Sequence, residues 1–286
     1  DNMFWRMTAQ RMLVERKKTD VVPQLIAMVN DQTVDSLGLN PGALHALWTL
    51  DGLGLTGEAL ATARKALYHP AASVRRAALQ MLPRDSETFN DLFETGILPD
   101  KTSPWTVEYT VPTSALSDAD AHVRLEGVLV LSEYPGSPRA AAALTDLILN
   151  QENARDPWMP DAVAIAGAKQ GFGFLTDLVK HQMPQRDSLA MSGIRRTIWK
   201  LSRIEAAKAN TDNIVALMGM LPEVPAVSVA ILNGVEQGWP ADKPPQFSAE
   251  QRLKLAAAAR GASGELETAL GRVAARWQMP DVFRTP

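Results

Sequence analysis

Residues 69–83 read HPAASVRRAALQMLP, and this phrase constrains the fold more than any other stretch of the chain. A His69-Pro70 turn precedes a helix carrying Val74-Arg75, with the small residue Ala78 three positions after the arginine and Leu82 one turn later. The pattern returns at Val123-Arg124 with Gly127 and Leu131, and at Trp5-Arg6 with Ala9 and Leu13. Aligned on the small position, the column reads Ala9, Ala46, Ala78, Gly127, Ala164, Ile198 and Ala230, with spacings of 37, 32, 49, 37, 34 and 32 residues. Such periods belong to stacked helical pairs of roughly 33–47 residues. Each pair buries its apolar face only against its neighbours, so one close approach per repeat needs Ala or Gly. Ile198 breaks that rule.

Arginine recurs three residues before the small position, as Arg6, Arg75, Arg124 and Arg195. Leucine recurs four after it, as Leu13, Leu50, Leu82 and Leu131. An arginine near a helix start is placed to reach a neighbouring carboxylate or carbonyl, and Asp118 or Asp120 would serve Arg124. The expectation is an all-α, right-handed α-α superhelix, a solenoid of about seven helical pairs spanning 1–286.

Helices are expected over 4–15, 22–30, 42–50, 58–68, 74–82, 123–134, 138–150, 161–168, 188–203, 213–221, 226–236, 248–259 and 264–277. Pro23 and Pro41 fall where helix first turns tolerate proline. Ser117-Asp118 reads as an N-cap signal. Between 84 and 116 the regularity lapses: DSETFNDLFETGIL looks helical, but KTSPWTVEYTVPTSAL carries prolines and β-branched residues, as in an irregular insertion or a short hairpin.

Composition excludes several chemistries. At 286 residues the chain exceeds the roughly 250-residue limit of a single core. Its formal net charge of −3 offers no basic face for nucleic acid. No run reaches the roughly 18 apolar residues that span a bilayer, so membrane insertion is not expected. Without cysteine there is no disulfide, thiolate metal site, cysteine nucleophile or C-x-x-C-H haem attachment in this segment. Beginning at Asp1 with helical sequence almost at once, it reads as a piece of a longer protein.

Gly52, Gly54 and Gly57 satisfy G-x-G-x-x-G, but a dinucleotide fold needs a strand before the first glycine, and ALHALWTL is helical in composition and register. His45, His69, His122 and His181 fall in different repeats, without the spacing that puts two ligands on one helix face. Asp118 and Asp120 suit N-capping better than a catalytic pair. No catalytic residue, cofactor or metal is therefore expected. Most of the seven tryptophans are expected in the core or at hairpin ends.

The Asp…Val-Arg…Ala…Leu columns resemble the HEAT repeat, a relative of armadillo-like helical arrays. Over residues 2–83, NMFWRMTAQRMLVE, VVPQLIAMV and NPGALHALWTLDGLG further resemble the helical-repeat region of large planctomycete and verrucomicrobial proteins. Those proteins pair a sorbosone-dehydrogenase-like propeller with a c-type cytochrome domain. The resemblance implies a periplasmic or extracellular multidomain setting and a non-catalytic scaffold that binds protein, either flanking domains or another chain. It leaves open an accessory role, shaping substrate or electron-transfer access of a dehydrogenase or cytochrome. A carbohydrate-binding surface of exposed tryptophans is a further alternative, with no motif behind it.

In HEAT-type arrays the second helices line the concave side. Positions two before and two after the small residue share a face there by the i, i+4 rule. That row reads Met7 and Arg11, Leu44 and Trp48, Arg76 and Gln80, Leu125 and Leu129, Arg196 and Lys200. Its candidate interaction residues are Arg11, Trp48, Arg76, Gln80, Arg196 and Lys200, expected to meet an acidic or mixed protein surface.

Overall fold

The computed structural model describes residues 2–54, 56–90, 92, 115–181 and 188–284. Among them every regular element is a helix, which makes the fold all-α. The chain divides into two compact units, one through Tyr134 and the other from Pro135 onward.

The first unit holds α1 (Met3–Glu15), α2 (Val22–Val29), α3 (Pro41–Leu53), α4 (Gly57–Lys65), α5 (Ala72–Met81), α6 (Ser86–Phe89) and α7 (Ala121–Leu131). Starts are set by side-chain caps: Asn2 accepts from Phe4 N–H, Asn40 from Ala43 N–H and Asp120 from Val123 N–H. Helices α1, α3, α5 and α7 lie side by side in that order, while α2 packs on α3 and α4. Between them run Leu25, Ile26, Val29, Ala46, Leu47, Leu50, Ala78 and Leu82, all buried. Ala78 and Gly127 occupy tight positions as the small-residue column requires: Ala78 is fully enclosed, and a Cβ at Gly127 would lie 3.0 Å from that of Ala115. Ala9 does not. It is exposed, because α1 turns Gln10 and Val14 toward α3, where Gly52 leaves room for the Val14 side chain. Most of the irregular stretch 84–116, residues 93–114, lies outside the described residues.

The second unit holds α8 (Pro138–Leu149), α9 (Gln151–Arg155), α10 (Met159–Gln170), α11 (Phe172–Lys180), α12 (Ser188–Ala207), α13 (Thr211–Gly219), α14 (Pro225–Gly238), α15 (Ala249–Ala258) and α16 (Glu265–Arg276). Here α10, α12, α14 and α16 lie side by side in order, and α13 packs on α15. Two of these helices, α9 and α11, are not anticipated by the repeat pattern. Asn150 caps α9. The second, α11, restarts directly after Gly171, whose φ of 83° ends α10 in the left-handed region open to glycine. Phe174 then packs into the space that Gly167 leaves.

The small-residue register also shifts in this unit. Ile198 is buried and Ala230 only half-buried. The close approaches fall instead at Gly193, Gly234 and Gly238. A Cβ on Gly193 would lie 1.8 Å from the Ala154 carbonyl oxygen, and one on Gly238 would lie 2.1 Å from that of Arg203. Glycines one turn apart on α14 thus bring its backbone against that of α12.

Beyond α14, Trp239 and Trp277 are wholly buried, with ring centroids 5.7 Å apart. Phe247 and Phe283 pack edge-on or tilted against Trp277. The proline-rich loop closes over them by accepting the Trp239 indole N–H at the Lys243 carbonyl. Trp48 and Trp199 are half-buried, Trp5 and Trp158 exposed, and Trp105 lies outside the described residues.

Candidate interaction surface

The recurring arginine has a defined task in the first unit. Arg75 sends Nη1 back to the carbonyls of His69 and Pro70, six and five residues earlier, at 2.8 and 2.9 Å. Arg124 repeats this with the carbonyls of Asp118 and Ala119, at 2.8 and 3.0 Å. The remaining edge of the Arg75 guanidinium grips the Asp118 carboxylate through Nε and Nη2, both at 2.8 Å. Asp118 thus serves Arg124 through its carbonyl and Arg75 through its carboxylate. Asp120, not Ser117 or Asp118, supplies the N-cap of α7.

The six row residues do not share one environment. Arg11 is solvated and pairs loosely with Glu15 at 3.7 Å. Trp48 packs against the core of the first unit. Arg76 and Gln80, one turn apart on α5, converge on Glu126 of α7: Arg76 Nε lies 3.2 Å and Gln80 Nε2 2.8 Å from the same carboxylate oxygen. Arg196 and Lys200, one turn apart on α12, converge likewise on Asp161 of α10, at 3.1 and 3.0 Å. Arg196 Nε points off the line to Asp161, and its directed bond runs from Nη2 to the Pro157 carbonyl at 2.8 Å. Both i, i+4 pairs therefore clasp a carboxylate on an adjacent helix. The periodicity of one helix identifies such a face but not the acid opposite it, which is why Glu126 and Asp161 escape sequence reasoning.

Each of three histidines has a local partner. His45 Nδ1 meets Gln10 Oε1 at 2.8 Å, tying α3 to α1, and burial with the nearby Arg6 charge lowers its pKa. His122 stands 3.6 Å from Asp120. His69 is buried, with Nε2 3.0 Å from the Asp31 carbonyl and Nδ1 accepting the Ala71 N–H at 2.9 Å. A carbonyl only accepts, so the ring is the neutral tautomer protonated on Nε2. Burial pushes its pKa below the ordinary histidine value, against the opposing pull of the Asp31 carbonyl. Among the described residues no three His, Asp or Glu side chains gather as they would around a metal ion.

The glycine motif follows a helix: Gly52 is its penultimate residue, and Gly54 (φ 102°) and Gly57 (φ 52°) occupy left-handed backbone after it. Among the described residues no helix is long and apolar enough to cross a membrane. Comparison with known protein families, curated proteins and solved structures yields no match.

Proposed function

We propose that this chain is a non-catalytic HEAT-type solenoid of about seven helical pairs, right-handed in its superhelix, that acts as a scaffold for protein contacts inside a larger extracytoplasmic protein. The observation that supports the reading best is the duplicated arginine clasp. Arg75 and Arg124 take the carbonyls at the same two offsets, as repeats of one structural unit would. Within each unit alternate helices lie side by side, and the extended surfaces that stacked helical repeats offer suit macromolecular partners better than small substrates.

On this reading Arg11, Trp48, Arg76 and Gln80 of the first unit, and Arg196 and Lys200 of the second, are docking residues, and the partner is a flanking domain of the parent protein. A photo-crosslinking residue at Arg11 or Lys200 in the intact parent protein should attach to a flanking domain. Crosslinks to solvent alone at both positions would dismiss the row as a docking face. A radius of gyration near the roughly 19 Å of a compact globule of this length, measured by small-angle scattering, would dismiss the solenoid.

A further inference from the structure

Parallel helices α12 and α14 meet tightly where Gly234 and Gly238 face the backbone of Trp199 and Arg203. On the N-terminal side of that contact a groove of about 420 Å³ lies between them. Arg195, Arg196 and Trp199 form one wall; Ala226, Val229 and Ala230 form the other. Arg195, Trp199 and Arg203 are spaced i, i+4, i+8 and make one stripe along α12. Arg203 holds its guanidinium carbon 6.0 Å from the Trp199 ring centroid, within cation–π range. Arg195 is exposed and donates Nε to the Ala226 carbonyl at 2.8 Å, and among the described residues no other bond ties its guanidinium to α14.

The charge here runs against that of the chain as a whole. Among the described residues Arg195, Arg196 and Glu265 line the groove, while Lys200 and Arg203 stand on the same helix beside it and Asp161 faces Arg196 and Lys200. Asp161 is shared by Arg196 and Lys200. Among the described residues no carboxylate comes within ion-pair distance of Arg195 or Arg203. A cationic patch around a half-buried indole, facing a wall of small apolar residues, is complementary to a ligand with carboxylates on either side of an aliphatic group.

We infer that the α12–α14 groove binds an acidic peptide segment of a partner protein. One aliphatic side chain of that segment rests on Trp199, and carboxylates flank it on Arg195 and Arg203. The Cα atoms of the two arginines are separated by about 12 Å along the helix axis, and the probe peptide below is spaced to match. This inference rests on the docking reading above and specifies the partner chemistry at the second unit.

The test uses the full chain and a fluorescein-labelled helical peptide of about 15 residues, built on alanine, with glutamates eight apart and a leucine midway. Anisotropy should show saturable binding that is lost when the glutamates become glutamines. Arg195→Glu with Arg203→Glu should weaken binding at least about tenfold while the circular dichroism spectrum is retained. Trp199→Ala should weaken it too, and Arg76→Gln, on the other unit, should leave it unchanged. Absence of binding to the wild type, or equal binding to the charge-reversed variant, overturns the inference. So does equal affinity for a single-stranded oligonucleotide of matched charge, which would mark a polyanion site. Crosslinks from Lys200 to a native partner that persist when the peptide fails would leave the docking face standing and remove only the acidic occupant.

Discussion

Arg75 and Asp118 stand 43 residues apart in sequence and form a two-pronged ion pair, Nε to Oδ2 and Nη2 to Oδ1, each at 2.8 Å. Both side chains are largely buried, and the same guanidinium closes the turn before α5 through two carbonyls. One arginine thus ties its own helix start to the connection that precedes α7.

Removal of either partner leaves the other charge desolvated. Asp118→Ala should cost about 2–3 kcal/mol in urea denaturation. Arg75→Lys should recover little of an Arg75→Ala loss, because an ammonium cannot reproduce the planar fork. Full rescue by lysine would reduce the contact to simple charge attraction.

His69 gives stability a pH dependence of known sign. Its folded-state pKa lies below the unfolded value of about 6.5. The unfolded chain therefore binds the proton more readily, and stability is full above that value and falls as pH drops below it. His45, lowered in the same direction, adds to the trend. Urea midpoints should fall between pH 7.5 and 5.5 more steeply than carboxylate titration alone produces, and the slope should shrink in His69→Gln. Nitrogen NMR should find His69 protonated on Nε2 at neutral pH; a proton on Nδ1 would contradict the Asp31 and Ala71 contacts.

Glycines separate into two kinds by what surrounds them. Gly238→Ala forces a methyl toward the Arg203 carbonyl, a backbone atom that cannot step aside, and should cost about 1–3 kcal/mol. Ala78→Leu should cost a similar amount, since that position is fully enclosed. Gly271, inside α16, has open space around its Cα, so Gly271→Ala should stabilise by about 0.5–1 kcal/mol. Equal thermal midpoints for Gly238→Ala and wild type would mean that α12 and α14 do not touch there.

How much of this is legible in the sequence depends on the range of each interaction. Helix positions follow from local periodicity and caps, so α1, α2, α3, α8 and α15 fall within a residue or a few of expectation. The short α9 and the glycine-led α11 have too little periodicity of their own; each is held by tertiary packing, as Phe174 against Gly167 illustrates. Small residues at crossings are recognisable as a class, but which one sits at the contact is not. Ala78 and Gly127 do, whereas Ala230 yields to Gly234 and Gly238 four and eight residues on. The polar pairs of the row are visible on their own helices, and the acids they meet, on other helices, are not.

That last gap alters how the row must be probed. Arg76 and Gln80 both bond one oxygen of Glu126, a largely buried carboxylate, so Arg76→Glu would set two carboxylates together instead of merely changing a surface. It should lower stability on its own account, and any loss of partner binding in that variant would be ambiguous. A double-mutant cycle resolves the local energetics. Arg76→Ala and Glu126→Ala, singly and together, should give a coupling of about 0.5–3 kcal/mol. Arg11 and Glu15 form a solvated pair 3.7 Å apart, and the same cycle there should give no more than about 0.5 kcal/mol. Raising salt should erase the second coupling and leave most of the first, because the Debye length shortens around exposed charges while a buried carboxylate is little screened. Equal couplings at the two sites would mean that Glu126 is solvated and that α5 and α7 are not joined through it.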